Sequence, residues 1–200
     1  AMKSAPPMDS RIIVGDFRKN AGKIADGSVN LIFTDPPYDD ESVSLFADLA
    51  AFAEAKLCDG GSLITYCGHK QLPFALQALG KHLRYWWPLA CVHSGRKAVM
   101  REYGIDVGWT PALWFVKGRR DDVTVMVTDT MSGGREKEAH DWQQSQSEAA
   151  YWIEKLCPSD GLVVDPFLGG GTTAAAAKAL KRKWVGFELL PENAAIANER

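Results

Sequence analysis

The stretch Asp35-Pro36-Pro37-Tyr38 places a carboxylate, a rigid main-chain carbonyl and an aromatic ring within four residues. It follows the apolar run 29–34, and two prolines can neither continue a sheet ladder nor lie inside a helix, so that run must end here. Open α/β sheets bind their ligands where the strands end. The pattern therefore favours a holder for a planar group that carries an amino nitrogen. The alternative is a stiff turn with a solvated aspartate.

A second stretch, running from Asp165 through Gly169, Gly170 and Gly171, connects a predicted strand to a predicted helix. Glu188 lies 23 positions after Asp165, at the end of the next predicted strand. Glycines let main-chain N–H groups approach a ligand, and an acid about twenty residues later accepts hydrogen bonds from ribose hydroxyls. No lysine follows the glycines, which disfavours a phosphate-binding P-loop. The pattern favours a nucleoside cofactor with a cationic end, such as S-adenosylmethionine, over a simple glycine turn.

The elements that must position these residues alternate between short β-type runs and helical patterns. We predict strands at 11–17, 30–34, 62–67, 85–92, 111–116, 161–164 and 183–187, and helices at 42–57, 73–79, 147–156 and 172–180. A turn is expected at 59–61, and the polar stretch 117–140 carries no clear element. Alternating strands and helices predict an α/β fold whose mostly parallel sheet is covered by helices on both faces.

Length and composition are those of one globular domain. The chain has 200 residues, 46% of them hydrophobic, and a net charge of −2, which argues against a protein that coats nucleic acid indiscriminately. We expect a disordered leader or cloning remnant at 1–8 and a single domain at 9–200. The four cysteines show no zinc or disulfide spacing, and no run is long and apolar enough for a membrane span, so a cytoplasmic setting is expected.

Together, the two motifs resemble the catalytic and cofactor motifs of DNA methyltransferases that methylate amino groups. The catalytic motif comes first, which is similar to the permuted β-class of that family, and the chain also resembles phage-type domains that occur joined to ParB-like domains. The resemblance implies a three-layer Rossmann-like fold that binds S-adenosylmethionine. It implies a mostly parallel seven-stranded sheet with one antiparallel strand and a circularly permuted motif order. The implied activity is methylation of the N6 amino group of adenine in DNA.

The resemblance also implies residue roles. Asp35 and the Pro36 carbonyl would accept the two amino N–H groups, with Pro37 in the same catalytic motif, and Tyr38 would stack on a flipped or single-stranded base. The implied cofactor-binding residues are Asp16, Phe17, Asp35, His140, Trp142, Gln143, Asp165, Phe167, Gly169, Gly170, Gly171, Thr172 and Glu188. A cytosine-C5 enzyme would need a nucleophilic cysteine after proline, and no cysteine in this chain directly follows a proline.

Substrate contacts are expected where positive charge is concentrated. Residues 94–120 hold six basic and two acidic side chains, which suits contacts to phosphates. The candidate substrate-binding residues are Tyr38, Arg96, Lys97, Arg101, Arg119 and Arg120. The candidate target-recognition insertion, around 119–139, is small, so a second copy or a fused domain could supply recognition. Three alternatives stay open: an RNA amino-methyltransferase, a cytosine-N4 DNA methyltransferase, and a non-catalytic cofactor-binding subunit.

Overall fold

A computed structural model describes residues 10–39, 43–93, 98–120, 125–133 and 146–199. The strands are β1 (Arg11–Val14), β2 (Val29–Thr34), β3 (Leu57–Tyr66), β4 (Arg84–His93), β5 (Ala98–Met100), β6 (Ile105–Val107), β7 (Trp109–Val116), β8 (Thr130–Gly133), β9 (Leu162–Asp165) and β10 (Lys183–Glu188). The helices are α1 (Phe17–Asn20), α2 (Leu45–Lys56), α3 (Leu72–Leu79), α4 (Gln146–Leu156), α5 (Thr172–Ala179) and α6 (Pro191–Asn198), with a 3-10 turn at Ala21–Lys23. The expected leader at 1–8 lies outside the described residues.

The main sheet has the strand order β1-β10-β9-β2-β3-β7-β4-β8. Strand β7 is antiparallel to both of its neighbours, and every other pairing is parallel. The predicted mostly parallel sheet with one antiparallel strand is confirmed. The count differs, because eight strands rather than seven form this sheet within the described residues. The additional strand is β8, which pairs with β4 and lies in the polar stretch where the sequence shows no periodic signal.

Alternating side chains along the strands divide the core into two layers. Ile32 contributes to a cluster on the face covered by α2 and α3, whereas Leu31 and Phe33 contribute to a cluster on the face covered by α4 and α5. Each of these three side chains is fully buried, and burial of one such side chain contributes about 1.5–3 kcal/mol. The result is the expected three-layer arrangement of helices, sheet and helices.

The predicted turn at 59–61 is instead part of β3, which begins at Leu57. The ladder between β2 and β3 shifts register between Val29 and Leu31. Gly60 lies in the left-handed region with a φ of 77°, which L-residues rarely adopt. The glycines therefore accommodate an irregularity inside a long strand, where the sequence predicted a strand boundary.

The sheet direction determines where the motifs lie. Strands β1, β10, β9, β2 and β3 are parallel neighbours, so their carboxyl ends meet at one edge, which we call the carboxyl edge. The residues at or directly after these ends include Asp16, Asp35, Asp165 and Glu188. Among the described residues, no helix is long and apolar enough to cross a lipid bilayer.

Candidate active site

The Asp35–Tyr38 turn leaves β2 at the carboxyl edge. Pro36 is buried and Asp35 is partly exposed, while Pro37 and Tyr38 are exposed. The Tyr38 hydroxyl donates a hydrogen bond to Oδ1 of Asp35. Burial of the hydroxyl, and then the adjacent Asp35 carboxylate, raise the pKa of Tyr38 well above its usual value, so the hydroxyl stays protonated at neutral pH. The turn therefore presents a carboxylate that already accepts one hydrogen bond from an O–H group of the same turn.

The glycine-rich turn leaves β9 at the same edge and opens α5. Gly171 precedes the helix with a φ of 83°, and a Cβ atom at this position would lie 2.8 Å from the Cβ of Ala197 in α6. Only glycine combines that backbone conformation with so close a contact. The N–H of Gly169 donates to Oε2 of Glu188 at 2.8 Å. The turn and the acid at the end of β10 thus form one unit.

Glu188 is 8% exposed and has several donors within reach. Besides Gly169, the N–H of Leu190 donates to Oε1 at 2.9 Å and Nδ2 of Asn193 donates to Oε1 at 3.4 Å. An ionised carboxylate offers about four acceptor positions, so acceptor capacity remains for a ligand hydroxyl. This donor set holds the carboxylate in one orientation beside the glycine turn.

Asp165 connects the two motifs. The Thr34 hydroxyl, one residue before Asp35, donates to Oδ1 of Asp165 at 2.6 Å across 131 residues of sequence, and the Phe167 N–H donates to the same oxygen at 3.0 Å. Burial raises the pKa of Asp165 to about 6, although Thr173, Thr34 and the Phe167 N–H act in the opposite direction. Within the described residues Asp165 forms no ion pair. A buried acid of this kind suits a cationic ligand group.

Asp16 and Phe17, which follow β1, both have contacts within the protein. Asp16 caps α1 and accepts hydrogen bonds from the Arg18 guanidinium, with a shortest separation of 2.6 Å between Nη2 and Oδ2. This hydrogen bonding holds the pKa of Asp16 below its usual value. The Phe17 ring is 3% exposed and packs edge-on against Phe52 and Phe167. The Phe17 ring therefore belongs to the hydrophobic core.

The predicted substrate residues divide between the two edges of the sheet. Arg101 is exposed and lies between β5 and β6, in a ribbon that leaves the sheet between the end of β4 and the start of β7, at the carboxyl edge. Arg119 and Arg120 follow β7, which runs the opposite way, so they lie beyond Val116 at the other edge. The structure does not bring these two arginines together with Asp35.

Arg120 has a local structural role at that far edge. Its guanidinium donates to Oγ of Ser62 at 3.2 Å and lies 5.1 Å from the ring centroid of Trp114. Ser62 precedes Thr65, the partner of Thr34, by three residues, a separation of about 10 Å along the strand. Five other predicted site residues lie outside the described part of the chain: Arg96, Lys97, His140, Trp142 and Gln143.

Two residues at the carboxyl edge were not identified from the sequence. Thr34 is fully buried at the end of β2, and a buried hydroxyl at a strand end is a signal that it bonds a neighbouring strand. Gln71, at the start of α3, donates from Nε2 to the main-chain oxygen of Tyr38 at 2.7 Å. No sequence spacing indicates that contact. The remaining predicted residues, Gly170 and Thr172, lie in the glycine-rich turn and at the first position of α5.

Comparison with solved structures shows the same fold in several proteins. TTHA0409 of Thermus thermophilus, assigned as a DNA modification methylase, is 21% identical with a TM-score of 0.77, over 96% of this chain and 94% of that chain. M1.HpyAVI in complex with SAM is 22% identical with a TM-score of 0.76, over 94% and 97%. PvuII DNA methyltransferase, cytosine-N4-specific, is 19% identical with a TM-score of 0.79, over 96% and 86%. No curated protein matches by sequence.

A protein-family model also matches this sequence. The model of the N6_N4_Mtase family, described as DNA methylase, matches residues 69–199. This match covers more than half of the chain and includes the glycine-rich turn and Glu188. The chain therefore belongs to the N6/N4 family of DNA methylases.

Proposed function

We propose that this chain transfers a methyl group from S-adenosylmethionine to the exocyclic N6 amino group of adenine in DNA. The observation that carries the proposal is the 2.6 Å hydrogen bond from Thr34 to Asp165, because it joins the turn suited to an amino group to the turn suited to a nucleoside cofactor. We also place the chain in the permuted β-class, on the order of its two motifs along the sequence.

The residues at the carboxyl edge fit S-adenosylmethionine. Asp165 is a buried acid suited to the ammonium of the methionine part, and Glu188 retains acceptor capacity for ribose hydroxyls. Two of the similar structures bear on this choice, since M1.HpyAVI and TTHA0409 were each solved with this cofactor. When bound, the cofactor supplies an electrophilic methyl group on a sulfonium centre.

Asp35 and Tyr38 would then act on the base. The adenine amino nitrogen is a weak nucleophile because its lone pair is conjugated with the ring. If the Asp35 carboxylate and the Pro36 carbonyl accept its two N–H groups, the lone pair is directed out of the ring plane. In this structure the Tyr38 hydroxyl donates to Asp35, where the substrate amino group would donate. On entry of the base that hydroxyl leaves, and the ring of Tyr38 stacks on the base.

Cytosine N4 is the second candidate, and one observation favours it: the cytosine-N4-specific PvuII enzyme shares the fold over 96% of this chain. The two amino groups present the same pair of N–H donors, so Asp35 suits both. The family more often uses serine in place of this aspartate for cytosine, which favours adenine. We propose that recognition of the DNA sequence around the base comes from residues 119–139, from a second copy of this chain or from a fused domain.

The decisive experiment identifies the methylated base. Purified protein is incubated with S-adenosylmethionine carrying a deuterated methyl group and with matched duplex DNA, single-stranded DNA and RNA. The products are digested to nucleosides and analysed by mass spectrometry. We expect deuterated N6-methyladenine from DNA. Deuterated N4-methylcytosine would establish the second candidate, and methylation confined to RNA would overturn the proposal.

A further inference from the structure

The start of α3 contacts the back of the Asp35–Tyr38 turn. Gln71 is 5% exposed, and its side-chain amide donates to the Tyr38 carbonyl at 2.7 Å. Pro36 and Pro37 have no N–H group, so the turn has fewer main-chain donors with which to bind its surroundings. The contact therefore fixes the main chain of the residue whose hydroxyl reaches Asp35.

The orientation of the Gln71 amide is itself determined by its surroundings. The Tyr38 carbonyl can only accept, so Nε2 faces it and Oε1 points the other way. Oε1 lies against Gly68, where an added Cβ atom would come within 2.1 Å of it and 3.6 Å from Cβ of Tyr38. The Gln71 N–H also donates to the Gly68 carbonyl at 3.1 Å. Gly68, Gln71 and Tyr38 thus form one close-packed contact in which the amide has little room to move.

We propose that Gln71 is a positioning residue for methyl transfer, acting through Tyr38; this inference rests on the proposed function. In the proposed reaction the hydroxyl of Tyr38 leaves Asp35 so that the ring can stack on the entering base. The main chain of the turn must meanwhile keep Asp35 and the Pro36 carbonyl aligned. Gln71 holds the Tyr38 carbonyl during that exchange. Its side chain contacts neither base nor cofactor in this role. It keeps the acceptors in the geometry in which they meet the amino group.

The test compares three variants with the wild-type protein. Gln71→Met keeps the length of the side chain and removes the donor. Gln71→Glu places a carboxylate against the Tyr38 carbonyl, and that carboxylate regains a donor only when it is protonated. Lys70→Ala is the matched control, because Lys70 is the adjacent residue and pairs outward with Glu102 at 2.6 Å. Each variant is assayed for kcat, for KM of the DNA and for cofactor affinity by calorimetry.

We expect kcat of Gln71→Met to fall about 10- to 100-fold, because a displacement near 1 Å at a reacting group has an effect of that size. Its cofactor affinity stays within about twofold of the wild type, and Lys70→Ala retains wild-type kcat. The kcat of Gln71→Glu, relative to the wild type, rises as the pH is lowered toward the pKa of the introduced carboxyl, because protonation restores the donor. An unchanged kcat in Gln71→Met, or an equal loss of cofactor affinity, would overturn the proposal.

Amide hydrogen exchange provides a readout that does not need methyl transfer. In the free protein, a peptide covering 33–39 should exchange faster in Gln71→Met than in the wild type. A peptide covering 162–171, which includes Asp165 and the glycine-rich turn, should exchange at the wild-type rate. If no DNA base is methylated, the proposed function fails while exchange still decides the role of Gln71. If exchange at 33–39 is unchanged, Gln71 does not anchor the turn.

Discussion

The two halves of the carboxyl edge hold their acids in different ways. In the half that we propose to bind the cofactor, called the cofactor half, Asp165 and Glu188 are at most 8% exposed and accept hydrogen bonds from main-chain N–H groups. In the half that we propose to be catalytic, called the catalytic half, Asp35 is partly exposed. Its hydrogen bond from Tyr38 comes from a residue that is itself 39% exposed. The two carboxylates of the cofactor half are therefore held in position before any ligand binds. In the catalytic half, Asp35 can exchange the Tyr38 hydroxyl for another hydrogen-bond donor.

The compositions of the two turns explain this difference. Glycines supply main-chain N–H groups and allow close approach, as in the bond from Gly169 to Glu188. Prolines have no main-chain N–H group, so Pro36 and Pro37 cannot donate to Asp35. The donor seen at Asp35 from within the turn is the side-chain hydroxyl of Tyr38. A rigid cradle suits a cofactor that binds in one pose. An acceptor with an exchangeable partner suits a base that must enter and leave at every turnover.

The largest effect is expected from Asp35→Ala, which separates the two halves. Loss of the carboxylate should reduce kcat by about 10³-fold, the range seen when one preorganised hydrogen-bonding group at a reacting centre is removed. Cofactor affinity should stay near the wild-type value, because the donors to Asp165 and Glu188 are unaffected. Calorimetry with S-adenosylmethionine checks this division. Lost cofactor affinity in this variant would show that the two halves are not independent.

Substitutions of Tyr38 test whether Asp35 exchanges its hydrogen-bond donor when a base binds. Tyr38→Ala removes the stacking surface, worth about 1–3 kcal/mol per base, and should raise the KM for DNA about 10- to 100-fold. Tyr38→Phe keeps the ring and removes only the hydroxyl that occupies Asp35, so its KM should equal or fall below the wild-type value. Steady-state kinetics on one duplex gives both results. A KM in Tyr38→Phe as high as in Tyr38→Ala would contradict the exchange.

Local spacing predicts much of this arrangement, because parallel strands bring their carboxyl ends together wherever they lie in the sequence. Asp35, Asp165 and Glu188 each follow an apolar run, so their common edge could be predicted from pattern alone. The contact of Gln71 could not, since it depends on where α3 begins relative to a turn 33 residues away. Strand β8 was missed because its polar residues show no alternation and its pairing with β4 is a tertiary contact.

The cofactor half should show the pH dependence of a buried acid. The pKa of Asp165 is raised to about 6 by burial, so the acid gains its proton as the pH falls below that value. The neutral acid attracts a ligand ammonium less, so cofactor affinity should be about tenfold weaker near pH 5 than near pH 8. Calorimetry across this range measures the change. Asp165→Asn should bind weakly with little dependence on pH over the same range, and a steep profile in that variant would assign the titration to another group.

The same titration affects stability with a defined sign. Because the folded-state pKa of Asp165 is above its unfolded value, the folded protein binds the extra proton between about pH 4 and pH 6. The contribution of this group to stability is therefore present at the acidic end and is lost as the pH rises through about 6. Subtracting the stability profile of Asp165→Asn from that of the wild type isolates this contribution. A difference that grows as the pH rises would have the wrong sign.

The smallest effects concern two arginines that the sequence grouped together and the sheet separates. Arg101 is at the carboxyl edge, so Arg101→Ala should raise the KM for DNA a few-fold. The slope of log affinity for DNA against log salt concentration should become smaller by about 1, which corresponds to one lost phosphate contact. Arg120 lies at the other edge because it follows β7, which runs antiparallel to its neighbours, and its guanidinium packs on Trp114. Arg120→Ala should therefore lower stability by about 0.5–1 kcal/mol and leave the salt dependence unchanged. Equal salt slopes in the two variants would mean that DNA reaches both edges, and the active surface would then have to extend beyond the strand ends that hold Asp35.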